Sequence, residues 1–214
     1  MRCWRCVVAV LAGMVSISHV GAAQQPSSPP AASVMPAVTD DRLRNALLLR
    51  VRADQAAREA FMLKRQVGGS IDSLDIARLT AVDTSNTAWL KRVVARQGWP
   101  TRAQVGSDGV RAALVLVQHA DLDSAFQSRV LPLIQQSSAA GELPGADVAV
   151  LTDRVAVSHG RPQLYGTQAK LVNGRWVAAP IADSSSVDSR RAKVGLPPLG
   201  DYFRVLDSLA AAPR

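Results

Sequence analysis

The chain has 214 residues, 48% hydrophobic, 20% charged and 4% aromatic, with a net charge of +8. That length suits one domain; the apolar share excludes wholesale disorder, and a mean hydropathy of +0.07 without a long apolar run excludes a polytopic membrane protein. No basic run exceeds two residues (Lys64-Arg65, Lys91-Arg92, Arg190-Arg191), so the charge reads as a solvated, arginine-rich surface and not as a nucleic-acid-binding face.

The first residues read as an export signal. Arg2 and Arg5 form a positive start, Cys6 to Val15 is an apolar stretch too short to span a bilayer, and Val20-Gly21-Ala22-Ala23 offers a cleavage site after Ala22 or Ala23. An uncleaved anchor is the alternative, and Ser16, Ser18 and His19 argue against it by interrupting the apolar run. Residues 24–39 (QQPSSPPAASVMPAVT) have the composition of a disordered tether, and the folded domain is expected from Asp40 to the C-terminus. On this reading the protein is periplasmic or secreted, with no stable membrane insertion once the signal is cut. Cys3 and Cys6 leave with the signal, and the net charge falls to +6. Disulfides, a thiol nucleophile and cysteine-ligated zinc are then excluded.

Asp40 or Asp41 can cap a first helix to about Gln66, with a stripe of Ala46, Leu49, Ala53, Ala56, Ala60 and Leu63, ended by Gly68-Gly69. Leu74 to Leu79 suggests a short helical turn. Asp83 or Thr84 is expected to cap a second helix, packed through Trp89, Leu90, Val93 and Val94 and stopped by Gly98. Ser107 and Asp108 can cap a third, Gly109 to Ala120. Its run Ala112 to Val117 is apolar on every side and should be central; a buried strand is the alternative there, and the cap favours helix. A fourth helix runs from Asp123 to about Ser138, kinked or split at Pro132, and a fifth from Pro144 to about His159.

The period then alternates. Tyr165 to Val172, Asn173-Gly174 and Arg175 to Ile181 predict a hairpin on a type I′ turn, with Val172 opposite Arg175, Leu171 opposite Trp176 and Ala169 opposite Ala178. Short and last helices follow at Ser186 to Val194 and Asp201 to Ala210. The fold class is α+β, a mostly helical domain of about five to seven helices with a C-terminal hairpin.

Several polar residues sit awkwardly on these elements. Asp153 shares a face with Ala146, Ala149, Val150, Ala156 and Val157, and a carboxylate there is costly unless it is paired or hydrogen-bonded. His119 shares a face with Ala112, Val115 and Leu116; a satisfied core histidine and a general acid or base are both open, and Asp121 is near enough to join either. Asp54 edges the first stripe with Arg50 and Arg58 four residues to either side, which suits two surface ion pairs or the charged wall of a pocket. Gln163, Tyr165, Thr167 and Gln168 cluster where the chain enters the hairpin, as turn chemistry or as groups that orient an uncharged polar ligand. His159 reads as a helix C-terminal residue, and the three tryptophans of the domain as core. No GxSxG, Walker, GxGxxG or HExxH motif is present. No metal site or cofactor is therefore expected.

The run Asp54-Gln55 with Arg58, Asp83 with Asn86, Gly98-Trp99-Pro100, Val105-Gly106, Gln118-His119-Ala120-Asp121, Asp153-Arg154-Val155, Gln163 with Tyr165-Gly166-Thr167-Gln168, Arg190-Arg191, Gly195-Leu196 and Tyr202 resembles a bacterial family of unknown function, DUF6624, over most of the domain. The resemblance implies no activity, but it singles out Asp54, His119 and Asp153, already marked as misfits. Two readings result. In the first, an exported binding or structural module carries an internal polar site, with a small polar ligand as partner. In the second, a cofactor-independent hydrolase or lyase uses His119 as acid or base and Asp153 to orient it, while Arg58 and Arg154 hold an anion and Gln163, Tyr165 and Gln168 position substrate; Gln55, Gln118, Asp121 and Thr167 complete the candidate set. A secreted partner protein using its basic surface is a third possibility, and oligomeric state is not legible.

Overall fold

The computed structural model describes residues 38–172 and 175–211. The signal, nearly all of the tether and the Asn173-Gly174 turn lie outside the described residues. Among those described, seven α-helices and one two-stranded antiparallel sheet follow in order, so the fold is α+β and mostly helical.

Helix α1 (Asp41–Gln66) starts where the Asp40 carboxylate accepts from the Leu43 amide, and Lys64 and Arg65 complement the dipole at its far end. Its buried face is not the alanine stripe. Leu43, Leu47 and Asp54 are buried, and Val51, Arg58 and Phe61 lie half-buried on the same side, whereas Leu49 is 69% exposed. The helix has apolar residues on both sides, and the side facing the molecule is the one that carries Asp54 and Arg58.

Helix α2 (Ser73–Gln97) is continuous, and the expected break at Asp83 does not exist. A capping box supplies its start: Asp72 accepts from the Leu74 and Asp75 amides while Asp75 accepts from the Asp72 amide. Asp83 lies mid-helix, its carboxylate engaged by a side chain of α1. Helix α3 (Arg102–Gln118) also begins earlier than expected, at a Thr101–Gln104 capping box. Gly106, at φ 73° and ψ 169°, interrupts it; that left-handed φ strains any residue with a Cβ, and beyond it the Asp108 carboxylate accepts from the Gly109 amide. The apolar run 112–117 is helical, and α3 is the central element, buried on nearly every side.

Helix α4 (Ser124–Ala139) runs unbroken through Pro132 from its Asp123 cap. Helix α5 (Gly145–Ser158) follows Pro144 and packs on α4. Leu47, Leu90, Val110, Leu114, Leu116, Ile134 and Leu151 form one core around α3.

The strands β1 (Ala169–Val172) and β2 (Arg175–Ala178) pair in the expected register but are shorter than expected. Residues 164–167 turn instead to Asp153 of α5, as described below, while Gln163 still bridges Ile181 and the Ala179 amide donates to the Gln168 carbonyl. The Trp176 side is only half-covered, by α7 (Leu199–Ala211), which follows the short α6 (Val187–Lys193); the Asp207 carboxylate accepts from the Trp176 amide at 3.3 Å. None of the described helices is long and apolar enough to cross a membrane.

The two faces of α1 make a direct contrast. Leu47→Ala is expected to cost about 2–5 kcal/mol through lost burial and the cavity it leaves, and Leu49→Ala less than about 0.5 kcal/mol, as read from urea unfolding midpoints.

Candidate functional site

The misfit residues form two separate assemblies. The first lies where α1, α2 and α3 meet. Asp54 is 1% exposed, and its carboxylate takes the His119 Nδ1 at 2.8–2.9 Å, the Gln55 amide at 2.8 Å and the Arg58 Nε at 3.3–3.4 Å. Arg58 reaches on to Asp83 of α2, with Nη2 2.5 Å from Oδ1. His119 occupies the C-cap of α3, buried beside both.

Hydrogen-bond inventory fixes the ring's role. Arg58 Nε also lies 3.0 Å from His119 Nδ1, yet one nitrogen cannot both donate to Asp54 and accept from Arg58. The contact to Asp54 is shorter and charge-assisted, so the proton sits on Nδ1, and Arg58 turns its Nε–H to the same carboxylate. His119 Nε2 is left without a hydrogen-bond partner among the described residues.

The electrostatics are uneven. Burial pushes the Asp54 carboxyl upward, but the bond from His119 and the charges of His119 and Arg58 outweigh it and hold it below the ordinary carboxylate range. Asp83 goes the other way: burial, helped by the Asp54 charge, raises it to about 6 against the pull of Arg58 and His119. Its second oxygen, Oδ2, takes no bond among the described residues. Asp83 also lines an open cavity of about 290 Å³, together with Thr84, Thr87 and Lys91 of α2 and Ala120 and Leu122 just past α3. Lys91 closes one side by pairing with Asp123 at 2.7 Å.

The second assembly gathers on α5 and the loop before the hairpin. Asp153, fully buried on α5, accepts from the Leu164, Tyr165 and Thr167 amides and from the Thr167 hydroxyl at 2.7–3.1 Å. Gln163 stitches the same loop: its amide donates to the Gln168 and Ala179 carbonyls, and its oxygen accepts from the Gln168 amide. Gly166 has φ 72°, and a Cβ there would lie 2.6 Å from Leu199. Arg191, fully buried, donates to the Tyr165 and Pro197 carbonyls and lies 5.1 Å from the Tyr202 ring centre, while the Tyr202 hydroxyl donates to the Thr167 carbonyl.

The expected pairing of Asp153 with His119 is therefore not made. No hydrogen bond joins them; Asp54 holds that place, and the hydrogen-bond partners of Asp153 among the described residues belong to the loop before the hairpin. Arg154 pairs with Asp121 at 2.8–2.9 Å, and Gln127 links that pair to the end of α3. Gln118 donates to the Asp147 carbonyl. Gln168 donates to Thr167 and the Val150 carbonyl. Tyr165 acts through its main chain. Arg50 bonds Asn86 instead of Asp54. Sequence reasoning read Asp83 only as a cap and as part of the family resemblance, and gave Thr87 and Lys91 no role; the three fall on one face at i, i+4 and i+8, visible once α2 is started at Asp72 instead of Asp83. No group of three or more metal-ligating side chains is gathered among the described residues.

Fold and site together define a mostly helical α+β domain with a buried Asp–His–Arg–Asp junction between its first three helices. The model of a family of unknown function, DUF6624, matches residues 41–211, and the chain belongs to that family. No curated protein and no solved structure matches it.

Asp153→Asn replaces an acceptor oxygen with a donor that faces other donors. It is expected to cost about 3 kcal/mol or more in chemical denaturation, because buried amides lose their acceptor. The pH dependence has a definite sign. Folded Asp83 keeps its proton between about pH 4 and 6, where the unfolded chain has released it, so stability falls as pH rises through that window. The contribution of Asp54, held low, is present above its unfolded value and lost only in stronger acid. In urea titrations, wild type is expected to lose on the order of 2–3 kcal/mol relative to Asp83→Asn between about pH 4 and 7.

Proposed function

We propose that the domain is a binding module for a small polar ligand, seated in the cavity beside Asp83. One observation carries this reading. The Asp83 carboxylate is fixed by Arg58 through one oxygen, while its other oxygen has no partner among the described residues and the residue lines an open cavity next to Thr84 and Thr87. Asp54, itself held by His119, holds Arg58 from behind, so the buried carboxylate acts as a support that aims a single carboxylate outward. Lys91 is neutralised by Asp123, which leaves an acceptor and two hydroxyls as the available groups. The matching ligand carries hydrogen-bond donors, as a hydroxylated or amine-bearing compound does.

The export signal read at Met1 to Ala23 supports a module that works outside the cytoplasm, periplasmic or secreted, which suits capture of a small extracellular compound. The second assembly is structural on this reading: Asp153, Gln163, Arg191 and Tyr202 fasten the loop that carries the hairpin.

A second reading rests on the orientation of His119. A carboxylate on Nδ1 that leaves Nε2 unpaired is the arrangement of a general base, and cofactor-independent hydrolysis or lysis would follow if substrate reached that nitrogen. The ring is 7% exposed and does not line the cavity, so the binding reading is the stronger.

A thermal-shift panel of small polyols, amino sugars and diamines tests it. At least one compound is expected to raise the Tm of wild type, and Asp83→Asn to weaken that compound by about tenfold, equivalent to ~1.4 kcal/mol. A panel in which no compound separates wild type from Asp83→Asn sinks the binding reading. Turnover of a chromogenic ester or glycoside that is lost in His119→Ala would replace it with the enzymatic one.

A further inference from the structure

Helix α2 has a second flank, which the Asp83 cavity does not use. There Ala81, Val82 and Trp89 face Ala46, Leu49 and Ala53 of α1 across an open groove of about 550 Å³. Three polar residues, Arg50, Ser85 and Asn86, interrupt this apolar lining.

Neither Arg50 nor Asn86 is fully satisfied among the described residues. Arg50 donates Nη1 to the Asn86 Oδ1 at 3.0 Å, and its guanidinium carbon lies 4.6 Å from the Trp89 ring centre, but no carboxylate pairs with it among the described residues. Its guanidinium has a lowered pKa, first through burial and then through the neighbouring charge of Arg92. Asn86 is 5% exposed, and its Nδ2 is buried without an acceptor among the described residues. Rotating that amide would not help. Arg50 has only donors, so Oδ1 must face it and the unfilled donor must point away.

An orphan amide donor, a cation without a counter-ion and an apolar trough thus share one groove. The buried donor lacks an acceptor, the cation lacks a negative charge, and Leu49, 69% exposed, lacks an apolar cover. A single molecule can supply all three. One uncompensated guanidinium calls for one negative charge, and its planar fork suits the two oxygens of a carboxylate.

We propose that the groove between α1 and α2 binds an amphiphilic carboxylate, its oxygens on Arg50 and Asn86 and its hydrocarbon along Leu49, Val82 and Trp89. This site is distinct from the Asp83 cavity and does not depend on it; the two lie on opposite flanks of α2. It also gives the Asp83–Asn86 spacing a use, since residues three apart on this helix each take an arginine of α1 at a different cavity.

Decanoate tests the proposal, with decanol and decyltrimethylammonium as matched neutral and cationic probes, all below their micelle concentrations. Binding to the full folded domain is followed by calorimetry and by the Trp89 indole N–H resonance. Decanoate is expected to bind at least about tenfold tighter than either control. Arg50→Gln is expected to erase that preference, and Leu49→Asp, a change at an exposed position, to abolish binding of all three. Asp83→Asn is expected to leave decanoate binding unchanged, which separates this site from the proposed ligand cavity. Should Arg50→Gln fail to fold, Leu49→Asp and the three-probe comparison still decide. Equal binding of decanoate and decanol, no binding of decanoate, or a groove closed by concentration-dependent dimerisation of the chain would each overturn the proposal.

Discussion

A carboxylate almost without solvent, Asp54, determines how the first three helices can sit. Its burial is tolerable only because a ring nitrogen, an amide and a guanidinium converge on it. Those donors come from α1 itself and from the end of α3, and the guanidinium goes on to α2. The crossing of the three helices is therefore tied to one hydrogen-bonded point as well as to the leucine and valine packing around it. Replacing any one partner leaves an uncompensated group in a place that water reaches poorly.

The same point has a mechanical outcome at the surface. Arg58 is held on one side by Asp54 and on the other by Asp83, so the geometry at the cavity wall is set from the interior. An acid whose proton affinity is raised by burial is a less comfortable group than one in water. Its position beside two threonines and an open volume gives that discomfort a place where a ligand can relieve it.

Much of this was legible in the sequence, and the misses have physical causes. Asp54, His119 and Asp153 stood out because helical spacing set each against apolar neighbours, and all three are buried. The hairpin register followed from the Asn173-Gly174 pair and the alternation around it. What spacing alone does not carry is which helix crosses which. His119 was matched with the acid of α5, and the packing of α1 on α3 supplied the acid of α1 instead. The face of α1 was misread because alanine and leucine occupy both sides, and the side with charges looked like surface. Asp83 was mistaken for a cap because Asp is a good one; the stronger signal was the reciprocal Asp72–Asp75 pair eleven residues earlier.

The two polar assemblies differ in how much chain must be gathered to make them. The Asp153 bond to the Tyr165 amide closes a span of 12 residues, whereas His119 and Asp54 are 65 apart. By loop-closure entropy alone the longer span costs ~1.5 kcal/mol more. The C-terminal fastening can thus assemble from its own neighbourhood, while the three-helix junction has to wait until distant turns of the chain have met. Loop-closure entropy thus favours securing the loop before the hairpin ahead of completing the ionic centre.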